Sequence, residues 1–232
     1  HFNIYSSFGQ FDNITFRVTA SDVLINRIVL NIDGDKGAAI KIDADDVTLQ
    51  TVTINYNTVK DTDSYAVYAY NVDNFRLLSS TVNFNSNSIG TPGYTQHAVQ
   101  YRDCTNSAVT KSKINAKLPA CDVDYYSGAS GIDQDLVLAI AIQGGENNKV
   151  TTSEINTDVV ATYGNFPTVD SIMANGVTNL EISKNTIVQT DFSNDGAGYS
   201  NAVDLYLCDD AKILNNDILV NSTAGVDGHG KS

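Results

Sequence analysis

A seventeen-residue pattern recurs five times along this chain: AVYAYNVDNFRLLSSTV (66–82), AVQYRDCTNSAVTKSKI (98–114), AIAIQGGENNKVTTSEI (139–155), SIMANGVTNLEISKNTI (171–187) and AVDLYLCDDAKILNNDI (202–218). AIKIDADDVTLQTVTI (39–54) is a sixth copy one residue short, and Ile14 to Leu30 reads as a degenerate first copy. A repeat of this length constrains the fold before any local propensity is weighed. One copy cannot bury its own apolar face and must stack on its neighbours.

Each copy opens with an alternation of period two, as in Val67/Ala69, Val99/Tyr101, Ile140/Ile142, Ile172/Ala174 and Val203/Leu205. A second short alternation follows a polar corner (Phe75/Leu77, Leu180/Ile182, Ala211/Ile213). A third segment then opens at Val82, Ile114, Ile155, Ile187 and Ile218. Three short strands per copy, with no stretch of helical period between them, exclude βαβ units. Stacked at about 4.8 Å per coil, they give an all-β, single-stranded parallel β-helix of about seven coils, right-handed by the usual crossover preference. Ser80, Ser112, Ser153, Asn185 and Asn216 share one position of the repeat, a column whose side chains suit the stacking of corners. On this register Ile142, Ile182 and Leu205 face a dry interior.

The chain has 232 residues, enough for one elongated domain spanning 1–232, with variation between copies concentrated after the third strand. The longest insertion is expected at about 117–136. A net charge of −13 offers no basic stripe for phosphates, so nucleic acid is excluded as a partner. No apolar run is long enough for a membrane span. The first residue is His1, so the chain is expected to be a piece of a longer exported protein, and the sequons at Asn13 and Asn221 suit that setting. Cys104 and Cys208 share a column three coils apart, about 14 Å, too far for a disulfide. Cys104 and Cys121 could close the insertion or remain small thiols.

Several motifs invite a functional reading. Gly225 to Ser232 matches the phosphate-loop consensus but ends where the required helix should begin. Asn156-Thr157-Asp158, Asp209-Asp210 and Gly228-His229-Gly230 resemble, in order, three signature fragments of the polygalacturonase-type glycosidases, which are parallel β-helices. Their spacing is too long and the basic element of that family is missing. Inverting hydrolysis needs carboxylates gathered around one bond, and Asp158 and Asp209 belong to different sides of the coil. A lyase would need an acid cluster beside a basic residue, but the outward Asp204 is three copies from Arg102, about 14 Å, and its neighbour Asp103 is expected to point to the opposite side or into the corner. No cofactor is expected. Calcium is the one cation the turns around Asp33-Gly34-Asp35, Asp43 to Asp46 and Asn194 to Gly196 would suit, although none completes a binding loop.

The outward face of the first strands carries more chemistry. Read up the stack it presents Lys41 and Asp43, Tyr68 and Tyr70, Gln100 and Arg102, Ala141 and Gln143, Met173 and Asn175, then Asp204 and Tyr206. Aromatic rings beside amides and charges on a rigid sheet suit a glycan chain or a partner surface. The candidate ligand-binding residues are therefore Tyr68, Tyr70, Gln100, Arg102, Gln143, Asn175, Asp204 and Tyr206, with no catalytic and no metal-binding residue. Tyr125 and Tyr126 on the insertion are the next candidates.

The coils, in phrases such as VTNLEISKNTIV (177–188) and DDAKILNNDILVNST (209–223), resemble the parallel β-helix repeat surface proteins, above all the adhesin-like proteins of methanogenic archaea. That resemblance covers nearly the whole chain and carries no functional motif. It implies an extracellular or cell-surface, non-catalytic adhesion domain whose partner is a glycan or a cell-surface protein. A polysaccharide hydrolase or lyase is the alternative. A third reading is a filament or sheath subunit built by end-to-end association of coils, whose open ends are unpaired strand edges.

Overall fold

The computed structural model describes residues 2–6, 14–34, 37–58, 64–86, 96–118, 135–161, 168–193 and 199–222, and none of them is helical. They wind into a right-handed parallel β-helix of seven coils. Sheet I collects the first strand of each coil: Ile14–Val18, Ala38–Ile42, Ser64–Tyr70, Gln96–Arg102, Asp135–Gln143, Thr168–Asn175 and Tyr199–Tyr206. Sheet II collects the three-residue second strands, from Leu24–Asn26 to Lys212–Leu214. Sheet III collects the third strands, from Ile28–Asp33 to Asp217–Ser222, and gains Phe2–Ser6 at one edge. The degenerate first copy forms a full coil. On either side of the expected insertion, one strand ends at Leu118 and the next begins at Asp135. Residues 119–134 lie outside the described residues, as do Gly225 to Ser232.

The register is the one the repeat dictates. Val67 pairs with Val99, Val99 with Ile140, Ile140 with Ile172, and Ile172 with Val203. Their side chains form a single continuous core in which Ile142 and Ile182 are buried. Tyr56 meets Phe84, and Phe75 meets Tyr101, edge to face inside it. Burying one such large apolar side chain is worth about 1.5–3 kcal/mol. Leu205 departs from expectation: it is only half-buried, and Ile213 and Ile218 in the same coil are 45% and 44% exposed. The cause is position. Among the described residues this seventh coil ends all three sheets, so there its inward side chains have a neighbour on one side only.

In sheet I the alternation slips once per coil. Ala66 and Val67 both enter the core, as do Ala98 and Val99, and Ala139 and Ile140. The slipped position reads Ala39, Ala66, Ala98, Ala139, Ser171 and Ala202, all buried, so only small side chains occupy the bend.

The corners follow from backbone chemistry. Two columns of left-handed residues run through all seven coils. One is Asp22, Asp46, Asn74, Asn106, Asn147, Asn179 and Asp210. The other is Arg27, Thr51, Ser79, Lys111, Thr152, Lys184 and Asn215. A third, comprising Asn71, Asp103, Gly144, Gly176 and Leu207, exists only from the third coil onward. Its absence is why the 39–54 copy is one residue short. Asn and Asp dominate the first column because they tolerate this region best among residues bearing a Cβ. Gly145 answers to a tighter limit, since a Cβ there would lie 2.0 Å from the Cys104 carbonyl oxygen.

The Ser/Asn column does what its position suggests. The Val52 amide donates to Ser80 Oγ, the Ser80 amide to Ser112 Oγ, the Ser112 amide to Ser153 Oγ, and the Ser153 amide to Asn185 Oδ1. Ser112→Ala should lower stability by about 1–3 kcal/mol in chemical denaturation, because the Ser80 amide would lose its acceptor inside a dry corner. Thr152→Asn should act oppositely, raising stability by about 0.5–1 kcal/mol, since a β-branched residue now sits at a φ of 55°. An unchanged midpoint for both variants would refute this account of the corners.

Candidate functional site

The outward ladder of sheet I is in register as read from the sequence. Lys41 pairs with Tyr68, Tyr68 with Gln100, Gln100 with Ala141, Ala141 with Met173, and Met173 with Asp204. One step along the strands, Tyr70, Arg102, Gln143, Asn175 and Tyr206 make a second column. The two columns differ in access. Gln100, Ala141 and Met173 are buried although they point away from the core, and Ala141 packs on Met173 as a separate apolar pair. Tyr70, Arg102 and Tyr206 are exposed, while Gln143, Asn175 and Asp204 are half-buried.

The structure brings five of the candidates together. The Tyr68 and Tyr70 rings stack at 6.3 Å with 25° between planes. The Arg102 guanidinium lies 6.0 Å from the Tyr70 ring centre, and Lys41 Nζ lies 5.8 Å from that of Tyr68. Gln100 Nε2 donates to Gln143 Oε1 at 3.1 Å. Burial raises the Tyr68 phenol above its ordinary range, an effect that the nearby Arg102 charge opposes. Tyr206 stands three rungs from Arg102 along its column, about 14 Å, so it does not join this cluster. Asp204 likewise belongs to the far end.

Two neighbours were not among the candidates. Tyr65 stacks on Tyr68 at 4.9 Å and 22°, extending the platform to three rings. His97 meets the Tyr65 ring edge to face at 5.6 Å and is 1% exposed. Both precede the bend at Ala66 and Ala98, where strict alternation breaks down, so a period-two reading begun at Ala66 passes over them. Burial drives the His97 pKa down to about 3, with the Gln100 side chain opposing part of the shift.

The charges on this face are compensated. Asp43 pairs with both Arg17 and Lys41, and Arg102 Nε lies 3.9 Å from Asp103 Oδ2. The acids of the Asp43–Asp46 turn are engaged by protein donors: Asp45 accepts from the Asp73 amide and Asp46 from Asn74 Nδ2. Among the described residues no three His, Cys, Asp or Glu side chains converge as for a metal. Asp35 and Asn194 to Gly196 lie outside the described residues. Asp158 is on sheet III of the fifth coil and Asp209 at a corner of the seventh, so these acids are not gathered. Gly228 to Gly230 lie outside the described residues. Cys104 is a free, buried thiol whose pKa burial pushes up to about 11, and Cys208 is also free. Cys121, Tyr125 and Tyr126 lie outside the described residues.

The sequence signal for a second polar array lay in another strand. The residue after the third-strand apolar position reads Asn55, Asn83, Asn115 and Asn156, all outward on sheet III. That column is as regular as the Ser/Asn corner.

No family model matches this chain, and no curated protein matches its sequence. Three solved structures are among those similar to it. The mannuronan C-5 epimerase AlgE4 A-module of Azotobacter vinelandii is 8% identical over 91% of this chain and 84% of that one, with a TM-score of 0.29. The surface protein and adhesin PfbA of Streptococcus pneumoniae is 12% identical over 99% and 85%, with a TM-score of 0.21. The catalytic domain of a GH87 α-1,3-glucanase is 9% identical over 90% and 55%, with a TM-score of 0.19. No functional residue is carried over from any of them.

His97 supplies a pH prediction. Its folded pKa of about 3 lies below the ordinary 6.5, so between these values the unfolded chain binds the extra proton. The contribution of neutral His97 is complete above about pH 6.5 and is lost as pH falls toward 3, at up to about 1.4 kcal/mol per unit. Denaturant unfolding of wild type and His97→Phe across this range should show the variant with the shallower slope. Equal slopes would mean that His97 is not held neutral.

Proposed function

We propose that this β-helix is a non-catalytic adhesion domain of an extracellular, surface-associated protein, and that it binds glycan chains through the outward face of sheet I. The observation that carries the reading is the platform of Tyr65, Tyr68 and Tyr70, three near-parallel rings with a cation beside each of the last two. Sugar rings present apolar C–H faces that stack on such rings, and their hydroxyls take hydrogen bonds from Arg102 and Gln143 at the platform's edge. A cell-surface protein bearing exposed planar groups would fit the same face.

The runner-up is a polysaccharide hydrolase or lyase. One observation favours it, the contact of His97 with the aromatic cluster. Against it, His97 is closed off from solvent, and of the acids that hydrolysis would need, Asp158 stands on sheet III and Asp209 at a corner two coils on.

The test is a glycan array followed by affinity measurement on the best hit. Tyr68→Ala/Tyr70→Ala should weaken binding about tenfold or more, since each aromatic contact is worth on the order of 1 kcal/mol, and the thermal midpoint should hold because neither ring belongs to the core. Binding that survives the double change would place the site elsewhere. Turnover of pectin, polygalacturonate or alginate would promote the enzyme.

A further inference from the structure

Sheet III carries an outward face unlike that of sheet I. Asn55 Nδ2 donates to Asn31 Oδ1, Asn83 to Asn55, Asn115 to Asn83, and Asn156 to Asn115, each at 2.7–2.8 Å. Two residues further along the strands, Asn57 donates to Asp33 and Asn85 to Asn57, after which Lys117 and Asp158 continue the row as an ion pair. Two rows of polar groups therefore run parallel to the helix axis, about 7 Å apart, with a rung every 4.8 Å or so. Between them lies an open trough of about 520 Å³, floored at Ala116.

Stacking suits carboxamides but does not require them. Asn is a poor strand former, and Thr or Val would hold an exposed strand at least as well. Each ladder bond uses one N–H and one carbonyl lone pair, whereas a carboxamide has two of each. Asn55, Asn83 and Asn115, which all line the trough, thus each retain one donor and one acceptor beyond the ladder. The charges at its end are mutually compensated: Lys117 with Asp158, and Lys113 with Glu154. With a net charge of −13 on the chain, an anionic ligand is disfavoured.

We infer that this trough is a second binding site, separate from the tyrosine platform, for a linear, uncharged, hydroxyl-rich chain lying along the helix axis. Its length from the Asn55 rung to the Asn156 rung is three intervals, about 14 Å, which suits a short run of neutral sugar residues. Paired donors and acceptors at the Asn55, Asn83 and Asn115 rungs match adjacent hydroxyls, each of which both gives and accepts a hydrogen bond, while Asn156 closes the row by donating to both Asn115 and Glu154. The inference concerns a different sheet from the proposed adhesion face and stands or falls independently of it.

The test is nuclear magnetic resonance on the intact chain, following the side-chain NH₂ signals of Asn55, Asn83, Asn85 and Asn115. The probes are the neutral tetrasaccharides of cellulose, starch, chitin and mannan, with tetragalacturonate as the charged control. At least one neutral chain at millimolar concentration should shift these signals saturably, and the galacturonate should not. The shifts should persist in Tyr68→Ala/Tyr70→Ala and weaken about tenfold in Asn83→Thr/Asn115→Thr, whose fold is checked by its thermal midpoint. If that variant fails to fold, the wild-type titration decides alone. Silence of the amide signals with every neutral chain, or shifts with galacturonate only, overturns the proposal. Shifts that follow protein concentration without sugar also overturn it, and would make the face a self-association surface.

Discussion

Every coil of this protein depends on one interaction: a backbone amide in one coil donating to a carbonyl in the next. In the sheets this is ordinary parallel pairing. At the corners it needs a device, because a turn ordinarily aims its N–H groups out of the ladder. The left-handed residues supply it. The Asn71, Asn74 and Ser79 amides donate to the carbonyls of Arg102, Thr105 and Thr110 one coil away, and the same holds for Asp46, Asn106, Asn147 and Asn179, for Arg27, Thr51, Lys111, Thr152 and Lys184, and for Asp103, Gly144 and Gly176. The unfavourable φ is thus offset by an axial hydrogen bond that would otherwise be missing.

Once the backbone is locked at one rung per coil, side-chain chemistry is constrained by column. Each residue meets its own equivalents about 4.8 Å above and below, so a column must consist of groups that tolerate their own kind. Hydroxyls and carboxamides satisfy this because each is both donor and acceptor, and they fill the buried corner and the outward face of sheet III. Charges do not, and several alternate in sign between rungs: Lys113 beside Glu154, Lys117 beside Asp158, Lys149 beside Glu181; where two like charges do meet on adjacent rungs, Arg17 beside Lys41, Asp43 pairs with both. Exposed pairs of this kind add little stability each, but like charges on adjacent rungs would repel. In a chain with nearly twice as many acids as bases, corners also take up acids: Asp45, Asp46 and Asp73 accept there from neighbouring coils.

This column logic also explains what could be read in advance. Apolar positions repeat with the coil, so the fold, the register and the outward rungs Lys41, Tyr68, Gln100 and Arg102 were all visible as aligned letters. Three features were not. The bend at Ala66 places two consecutive residues inward, and an alternation that assumes a straight strand cannot see Tyr65 and His97 beyond it. The burial of Gln100, Ala141 and Met173 on the outer face is encoded by no period. The half-exposure of Leu205 depends on its coil being last in the stack. The asparagine column was legible by the same means as the serine corner, but it lies on the third strand, and aromatic content drew the reading toward the first.

Rigid periodicity bears on how such a surface binds. A ladder amide is already held by the rungs on either side, so Asn83 has little rotamer freedom left to lose when a ligand arrives. The tyrosine platform is fixed likewise by stacking of each ring on the next. Individual contacts on either face are weak, but they repeat along a line, and a chain-like ligand that engages one rung is held within reach of the next. Each further contact then forms at a high effective concentration, limited only by how well the repeat of the ligand matches the rungs. Recognition on a β-helix face is therefore governed less by any one residue than by how many consecutive rungs keep the same chemistry. Sheet III keeps it from Asn31 to Asn156, whereas the aromatic character of sheet I is confined to a single coil until Tyr206.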